Sequence, residues 1–321
     1  MEKIKTKFNV EVYAESRIGG RNENQDSYGY ADTPCGFLMV VCDGMGGLNG
    51  GKTASTIAVN AIIDSVMHPD EDGSISVVLS KALTEANKAV IEASTKIPGV
   101  KGMGTTATAL LVNNDVACVA HVGDSRIYQL RGTKKVFRTF DHSMVFNMVR
   151  NKIITEEQAR LSAQSNIITR ALGINNEVIV DTKELEYKKG DRFVLCSDGF
   201  HSAMTERAFM NEIGAKGHLN LILDNLAEKI DNIGKSKGGG HDNLTAAVVA
   251  MKNSSKGFKK KRVVKSIICL SIVAIIVVLG SIFYPRNVDN KYKGEKTIDT
   301  LIKDTVIDAT NNEIIENNNK N

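Results

Sequence analysis

Little in this chain of 321 residues points to an extreme class of protein. Its five cysteines form no C-x-x-C pair, and Cys42, Cys118 and Cys196 stand inside apolar runs, where cysteine behaves as a small hydrophobe. A disulfide framework is therefore not expected. The formal net charge is only +4, and the lysines are scattered except for one cluster, Lys256 to Lys265, which leaves no case for nucleic-acid binding. The N-terminus, MEKIKTKFNVEVYAE, lacks the apolar core of a signal peptide, which places the residues before about 255 in a reducing cytosol. No internal repeat is visible, and neither His nor Cys is clustered as a zinc site would require.

One long apolar run is present. VVKSIICLSIVAIIVVLGSIFY, residues 263–284, has the length of a transmembrane helix and carries one charge, Lys265, near its edge. The basic stretch before it, KGFKKKRVVK, marks the cytoplasmic side by the positive-inside rule. Four segments are thus expected: a catalytic-sized domain over 1–253, a basic linker over 254–262, a membrane helix over 263–284 and an extracytoplasmic tail over 285–321. The tail is rich in Asn, Asp, Lys and Thr and ends in ENNNKN, a composition without a core, so disorder is expected there.

Within the first segment, apolar patterning predicts strands over about 7–14, 36–42, 105–112, 116–121, 125–130, 192–197 and 244–250. Helices are predicted over about 52–66, 75–95, 143–150, 155–172, 204–213 and 218–233. In ATALLVNNDVACVAHVGDSRIYQLRG three β-rich runs follow one another with connections too short for crossover helices, so they must pair antiparallel. The class expected is α+β, with helices packed on antiparallel sheets.

Three of these strands end in aspartate: LMVVC before Asp43-Gly44, VACVAHVG before Asp124-Ser125, and RFVLCS before Asp198-Gly199. A fourth, Asp242 in GGGHDN, immediately precedes the run LTAAVVA. An isolated Asp-Gly is most simply a turn. Repetition at strand ends is different, because if the strand before Asp198 pairs antiparallel with the one after Asp242, their carboxylates meet at one sheet edge. Such a cluster is tolerable when a divalent cation compensates it, and an oxygen-only ligand set selects Mg²⁺ or Mn²⁺ over zinc.

The constellation resembles the metal-dependent type 2C protein serine/threonine phosphatases in their bacterial form. The resemblance rests on GGRNENQDS around Arg21 and Asp26, VCDGMGG around Asp43, GMGTTATALL from Gly102, HVGDSRIY around Asp124, DHS at Asp141, TRALG at Thr169, CSDG around Asp198 and GGHDNLT around Asp242. It implies a central antiparallel β-sandwich flanked by helices on both sides, with a two-metal site at one end. It further implies that Asp43 bridges two metals with Gly44 as a carbonyl ligand, that Asp198 and Asp242 complete the first metal, and that Asp124 serves a third, weaker one. Arg21 then matches the arginine that holds the substrate phosphate, Asp26 the acid that orients the attacking water, and the segment from about Ser143 to Gln164 a variable flap. A cognate Ser/Thr kinase acting on the same phosphoproteins is implied as a partner.

Two positions depart from the wider pattern. Gln25 stands where many members have Glu, which removes one negative charge from the second-metal side. Met45 stands where animal members have a proposed acid histidine, so no catalytic histidine is assigned, and His121, His142 and His241 are expected to be structural. Two other readings of the same residues remain open at this stage. GGLNGGKT, residues 46–53, fits the P-loop pattern G-x-x-x-x-G-K-[ST], with FVLCSD as a Walker B-like strand. A catalytically silent, membrane-tethered metal-binding or docking module is the other. In the phosphatase reading, Lys52 is a solvated residue in the first turn of a helix.

Overall fold

The computed structural model of the chain describes residues 1–69 and 73–257, with residues 47–49 by backbone alone. In chain order the elements are β1 (Glu2–Ile4), β2 (Val10–Arg17), β3 (Ser27–Thr33), β4 (Gly36–Cys42), β5 (Gly44–Met45), α1 (Gly47–Met67), α2 (Ile75–Lys96), β6 (Gly104–Thr105), β7 (Ala107–Val112), β8 (Ala117–Val122), β9 (Arg126–Arg131) and β10 (Lys134–Arg138). There follow α3 (Met144–Arg150), α4 (Glu156–Arg160), β11 (Asp181–Leu185), β12 (Asp191–Cys196), α5 (Asp198–His201), α6 (Glu206–Ile213), α7 (Leu219–Ser236) and β13 (Leu244–Met251).

Two antiparallel sheets carry the fold. One has six strands in the order β1-β2-β13-β12-β9-β10, the other five in the order β11-β8-β7-β4-β3. The period of two along each strand divides its side chains between two cores. In β4, Phe37, Met39 and Val41 enter the core between the sheets, where they meet Phe193 and Leu195 of β12 and Val249 of β13. Leu38, Val40 and Cys42 face the other way, onto α1 and α2. Because both faces of β4, β7 and β8 are covered, their sequences are unbroken apolar runs rather than alternating ones.

The helices follow from the same patterning. Ala54, Ala58, Ile62 and Val66 recur every four residues on α1 and form one stripe against the five-stranded sheet. Leu219, Leu223, Leu226, Ala227 and Ile230 do the same for α7 on the outer face of the six-stranded sheet. The α1 helix approaches β3 so closely that a Cβ on Gly29 would fall 2.5 Å from Val59 Cγ1, which explains a glycine inside that strand.

The expected sandwich is therefore present, and the P-loop alternative is not, since a P-loop fold needs a parallel sheet and every described pairing here is antiparallel. The helix expected over 155–172 is corrected to five residues, Glu156–Arg160, opened by a capping box between Thr155 and Gln158. Beyond it Leu161 is 68% exposed, so no apolar stripe continues, and Ile168 is drawn into a bridge with Ser143. Domain packing also runs past Asn253, because Ser255 is fully buried and its N–H donates to the Tyr187 carbonyl at 2.9 Å. Among the described residues no helix is long and apolar enough to cross a membrane. The segment expected to do so, 263–284, lies outside them, as do the tail and the basic run from residue 258 onward.

Candidate active site

Strand direction alone gathers the aspartates. Since β4 and β8 both run antiparallel to β7, their C-terminal ends, carrying Asp43 and Asp124, fall at the same edge of the five-stranded sheet. Since β12 and β13 are antiparallel, the end of one and the start of the other, carrying Asp198 and Asp242, share an edge of the six-stranded sheet. The two edges face one cleft of about 620 Å³, lined by Arg21, Asp43, Gly44, Asp124, Asp198 and Asp242.

Asp43 and Asp124 are held through their backbones, Asp242 through its carboxylate. Asp43 N–H donates to Thr106 Oγ1 at 2.9 Å, while its carbonyl accepts from Thr106 N–H and Thr105 Oγ1, both at 2.8 Å. Gly44 pairs with Thr105 and has no room for a side chain, as a Cβ would stand 2.0 Å from the Gly51 carbonyl oxygen. Asp124 follows Gly123, whose φ of +108° makes the turn, and its carbonyl accepts from His201 Nε2 at 3.1 Å. Asp242 accepts from Arg21 Nη2 at 2.8 Å and from the Asn243 N–H at 2.9 Å.

Asp26 does not line this cleft; it lies beneath it, 2% exposed. β3 pairs with β4 through Ser27 and Cys42, which sets Asp26 beside Asp43. One Asp26 oxygen accepts from Ser197 Oγ at 2.8 Å, and the other, Oδ1, is buried with no partner among the described residues. Asp198 Oδ1 is orphaned in the same way.

Burial first, and then mutual repulsion, push these acids up: Asp26 to about 7, Asp198 to about 6, and Asp43 and Asp124 well above the carboxylate range. Among the described residues Arg21 is ion-paired with this group through Asp242, and its charge also favours ionised Asp198. Without a further cation the cluster relieves itself by binding protons. A divalent ion relieves it better, and the all-oxygen donor set with two orphaned buried oxygens fits a hard metal.

Several contributors were not picked out from sequence. Ser197 and Asn243 adjoin Asp198 and Asp242 in the same motifs, so adjacency is the signal there, whereas Thr105 and Thr106 fall in GMGTTATALL, a motif without an aspartate. Asn243 closes the Arg21 loop, with Nδ2 donating to the Ile18 and Glu23 carbonyls at 2.8 and 2.9 Å and Oδ1 accepting from Gln25 N–H at 2.8 Å. Glu23 also lines the cleft, so a carboxylate is present near the neutral Gln25. Arg126 forms a bidentate pair with Asp141, both bonds 2.7 Å, and lies 4.9 Å from the Phe146 ring centroid, tying β9 to the flap. The flap has its own small core of Val145, Phe146 and Ala159, and Asn166 and Ile168 border the cleft.

His121 and His142 are not among the residues lining the aspartate cleft. His121 and His142 stack at 4.3 Å, and with Asp181 they form a group whose donor atoms lie within 4.8 Å of one another. Those atoms are already engaged. His142 Nδ1 accepts from Gly123 N–H at 3.1 Å, His142 Nε2 faces Asp181 and Arg170, and His121 Nε2 meets the Phe140 carbonyl at 2.9 Å. Burial lowers His121 to about 4, so this group braces the Asp124 turn as neutral rings. His241 is held by Asp231 at 2.8 Å.

Lys52 is not solvated, contrary to expectation. Its ammonium donates to the Asp26 carbonyl at 2.8 Å and to Ser27 Oγ at 3.1 Å, and Ser55 of the same helix donates to the Gln25 carbonyl at 2.6 Å. The first turns of α1 thus clamp the chain that carries Asp26. Replacing Lys52 by Met is expected to lower stability by about 1–3 kcal/mol, the scale of hydrogen bonds to a charged donor. Turnover should fall less than about tenfold, since the contact is to backbone and not to reacting atoms. Thermal melts and phosphatase assays of Lys52→Met check both, and calorimetric binding of ATP to the unmutated chain would contradict this use of the lysine.

The chain matches the family model described as Protein phosphatase 2C over residues 15–233. It is 31% identical over 244 residues to a serine/threonine phosphatase, stp, of Listeria monocytogenes, covering 74% of this chain and 94% of that one. Among solved structures it resembles the serine/threonine phosphatase of S. agalactiae, with a TM-score of 0.68, 30% identity, and 75% and 99% of the two chains covered. It also resembles the catalytic domain of the serine/threonine protein phosphatase PstP in complex with two manganese ions, with a TM-score of 0.63, 30% identity, and 76% and 99% covered.

Proposed function

This chain belongs to the protein phosphatase 2C family and is a metal-dependent protein serine/threonine phosphatase; we propose that the cleft around Asp43 is where it hydrolyses phosphoserine and phosphothreonine. The observation that carries the reading is the convergence of four strand-end aspartates with Arg21 on one cleft. Asp43, Gly44, Asp198 and Asp242 would hold two Mn²⁺ or Mg²⁺ ions, and Asp124 a third, weaker one. Bound there, such ions supply Lewis acidity and lower the pKa of water towards neutrality.

The remaining work falls to the chain. Arg21 is more than half exposed, and its guanidinium can leave Asp242 for the phosphoryl oxygens once Asp242 is otherwise compensated. Its planar fork suits two oxygens at once and offsets their charge as the P–O bond breaks. Ser197 fixes one Asp26 oxygen, and the unpaired one, just beneath the cleft, would accept a hydrogen bond from the attacking water and orient it. Among the described residues no histidine lines the cleft, so water protonates the departing serine or threonine oxygen.

A catalytically silent docking module has no use for orphaned, repelling carboxylates, and an ATPase has no use for a Lys52 committed to Asp26. Turnover of p-nitrophenyl phosphate with Mn²⁺, abolished by EDTA and unaccompanied by ATP hydrolysis, is the expected result. Inactivity at saturating Mn²⁺ would overturn the reading.

The place of action is proposed from sequence: the domain works at the cytoplasmic face of a membrane, anchored by 263–284, with Lys256 to Lys265 drawn to anionic lipid by about 1 kcal/mol per nearby charge. A partner kinase would act on the same phosphoproteins there. A chain ending at Gly257, which keeps the buried Ser255, should be soluble and fully active on p-nitrophenyl phosphate. It should be slower on membrane-bound phosphoproteins, because tethering raises local concentration. Protease applied to intact cells should remove only the tail after Pro285; digestion of the Asp43 domain would reverse the orientation and rule out a cytosolic role.

A further inference from the structure

Beside the active-site cleft lies a second one of about 300 Å³. The two share Arg21, Asn166, Asp198 and Asp242, so they meet where the substrate phosphate would sit. Ala203, Ile230, Ile233 and Leu244 form the apolar part of the second cleft's mixed lining, which also includes Lys237. Lys237 also borders the cavity beneath the flap, next to Asp124 and Asp198.

The position of Lys237 is built rather than loose. It caps α7 and is followed by Gly238, Gly239 and Gly240, with φ of +101°, +75° and +67°, a left-handed run open only to glycine. That run turns the chain back so that the His241 carbonyl accepts from Gly20 N–H at 2.9 Å, beside Arg21. His241 packs on Gly234, where a Cβ would fall 2.2 Å from the ring. Asp231, on the same helix, is already shared by Lys235 and His241. The Lys237 ammonium is exposed and has no ion pair among the described residues. A lysine at a helix C-terminus is favoured by the helix dipole whatever it faces, but this one overlooks an apolar trough beside the phosphate-binding arginine.

We infer that Lys237 and this trough form a subsite for an anionic side chain adjacent to the phosphorylated residue of the substrate. The inference rests on the phosphatase reading and adds a preference to it. A glutamate would lay its methylenes on Ile233 and Ala203 and bring its carboxylate to Lys237; a second phosphorylated residue would bring a larger charge to the same ammonium. Neighbouring Cα atoms are about 3.8 Å apart, so a cleft that shares Arg21 with the active site is in reach of a residue one or two positions away.

The test uses the full chain with Mn²⁺ and three sets of phosphothreonine peptides, differing at the flanking positions as Gln, Glu or a second phosphothreonine. Wild type is expected to favour Glu over Gln by about three- to fivefold in kcat/KM, carried by KM, the range for a partly exposed ion pair. Lys237→Ala should erase the ratio, Lys237→Arg should restore it, and Lys237→Glu should reverse it, with p-nitrophenyl phosphate turnover unchanged in all three. Binding of a non-hydrolysable phosphonate peptide, read by fluorescence anisotropy, should shift by the same factor. A larger gain from the second phosphate than from Glu identifies a phosphoryl subsite, and an equal or smaller gain a carboxylate subsite. Equal Glu-to-Gln ratios in wild type and Lys237→Ala overturn the subsite while p-nitrophenyl phosphate turnover leaves the phosphatase reading standing. Absence of that turnover in wild type fails both.

Discussion

Asp43→Ala and Asp198→Ala should each lower Mn²⁺-dependent phosphatase turnover by about three orders of magnitude or more, while the domain stays folded. The size follows from the role proposed for each carboxylate: it would help hold a divalent ion, which would supply several kcal/mol of transition-state stabilisation and a water activated near neutral pH. Folding is preserved because neither side chain holds the fold. Asp43 is fixed through its backbone by Thr105 and Thr106, and Asp198 carries an oxygen with no partner. Removing one of several repelling acids should leave the melting temperature of the metal-free protein unchanged or raise it. Near-normal turnover of either variant at saturating Mn²⁺ would sink the metal assignment, and circular dichroism melts separate that result from misfolding.

The second large effect is on the stability of the metal-free protein. Asp26 and Asp198 are raised by burial and repulsion to about 7 and about 6, and Asp43 and Asp124 are raised as well. Between the unfolded value near 4 and these folded values, the folded state binds more protons than the unfolded chain. Their contribution is therefore greatest at low pH and lost as pH rises through that window. Buried histidines act oppositely, because burial lowers His121 to about 4 and lowers His142 and His201 as well, so they withdraw stability as pH falls below about 6.5. The two sets compete from pH 4 to 6.5, and above that the acids alone set the slope. EDTA-treated protein should accordingly melt roughly 2–4 °C lower at pH 8 than at pH 6.5. Asp26→Asn should flatten the dependence, and Mn²⁺ should raise the melting temperature most at the higher pH. Metal-free protein that grows more stable from pH 6.5 to 8 would contradict the cluster's electrostatics.

The edge strands show why part of the fold was hidden in the sequence. β4 and β13 were legible because both faces are buried and the sequence is an apolar run. β1, β3, β10 and β11 were not anticipated, since each is short, polar or half exposed at or near a sheet edge and carries no apolar signature. The expected helix over 155–172 failed for a related reason: Leu161 and Ile167 look like a stripe in sequence, yet both are largely exposed and form no buried face.

From the sequence alone came the strand-end positions of Asp43, Asp124, Asp198 and Asp242, the oxygen-only donor chemistry and the apolar segment 263–284, because each is a local pattern of residue types along the chain. Tertiary structure decided what depends on chain segments meeting. It set Asp26 under the cleft, against Ser197 some 171 residues away, rather than in it. It also spent the P-loop-like Lys52 on the Asp26 backbone and left Lys237 without an ion pair among the described residues beside Arg21. Residue type states what a side chain can do; its neighbours, brought together by two sheets packing face to face, determine which of those capacities is already taken and which is left for a ligand.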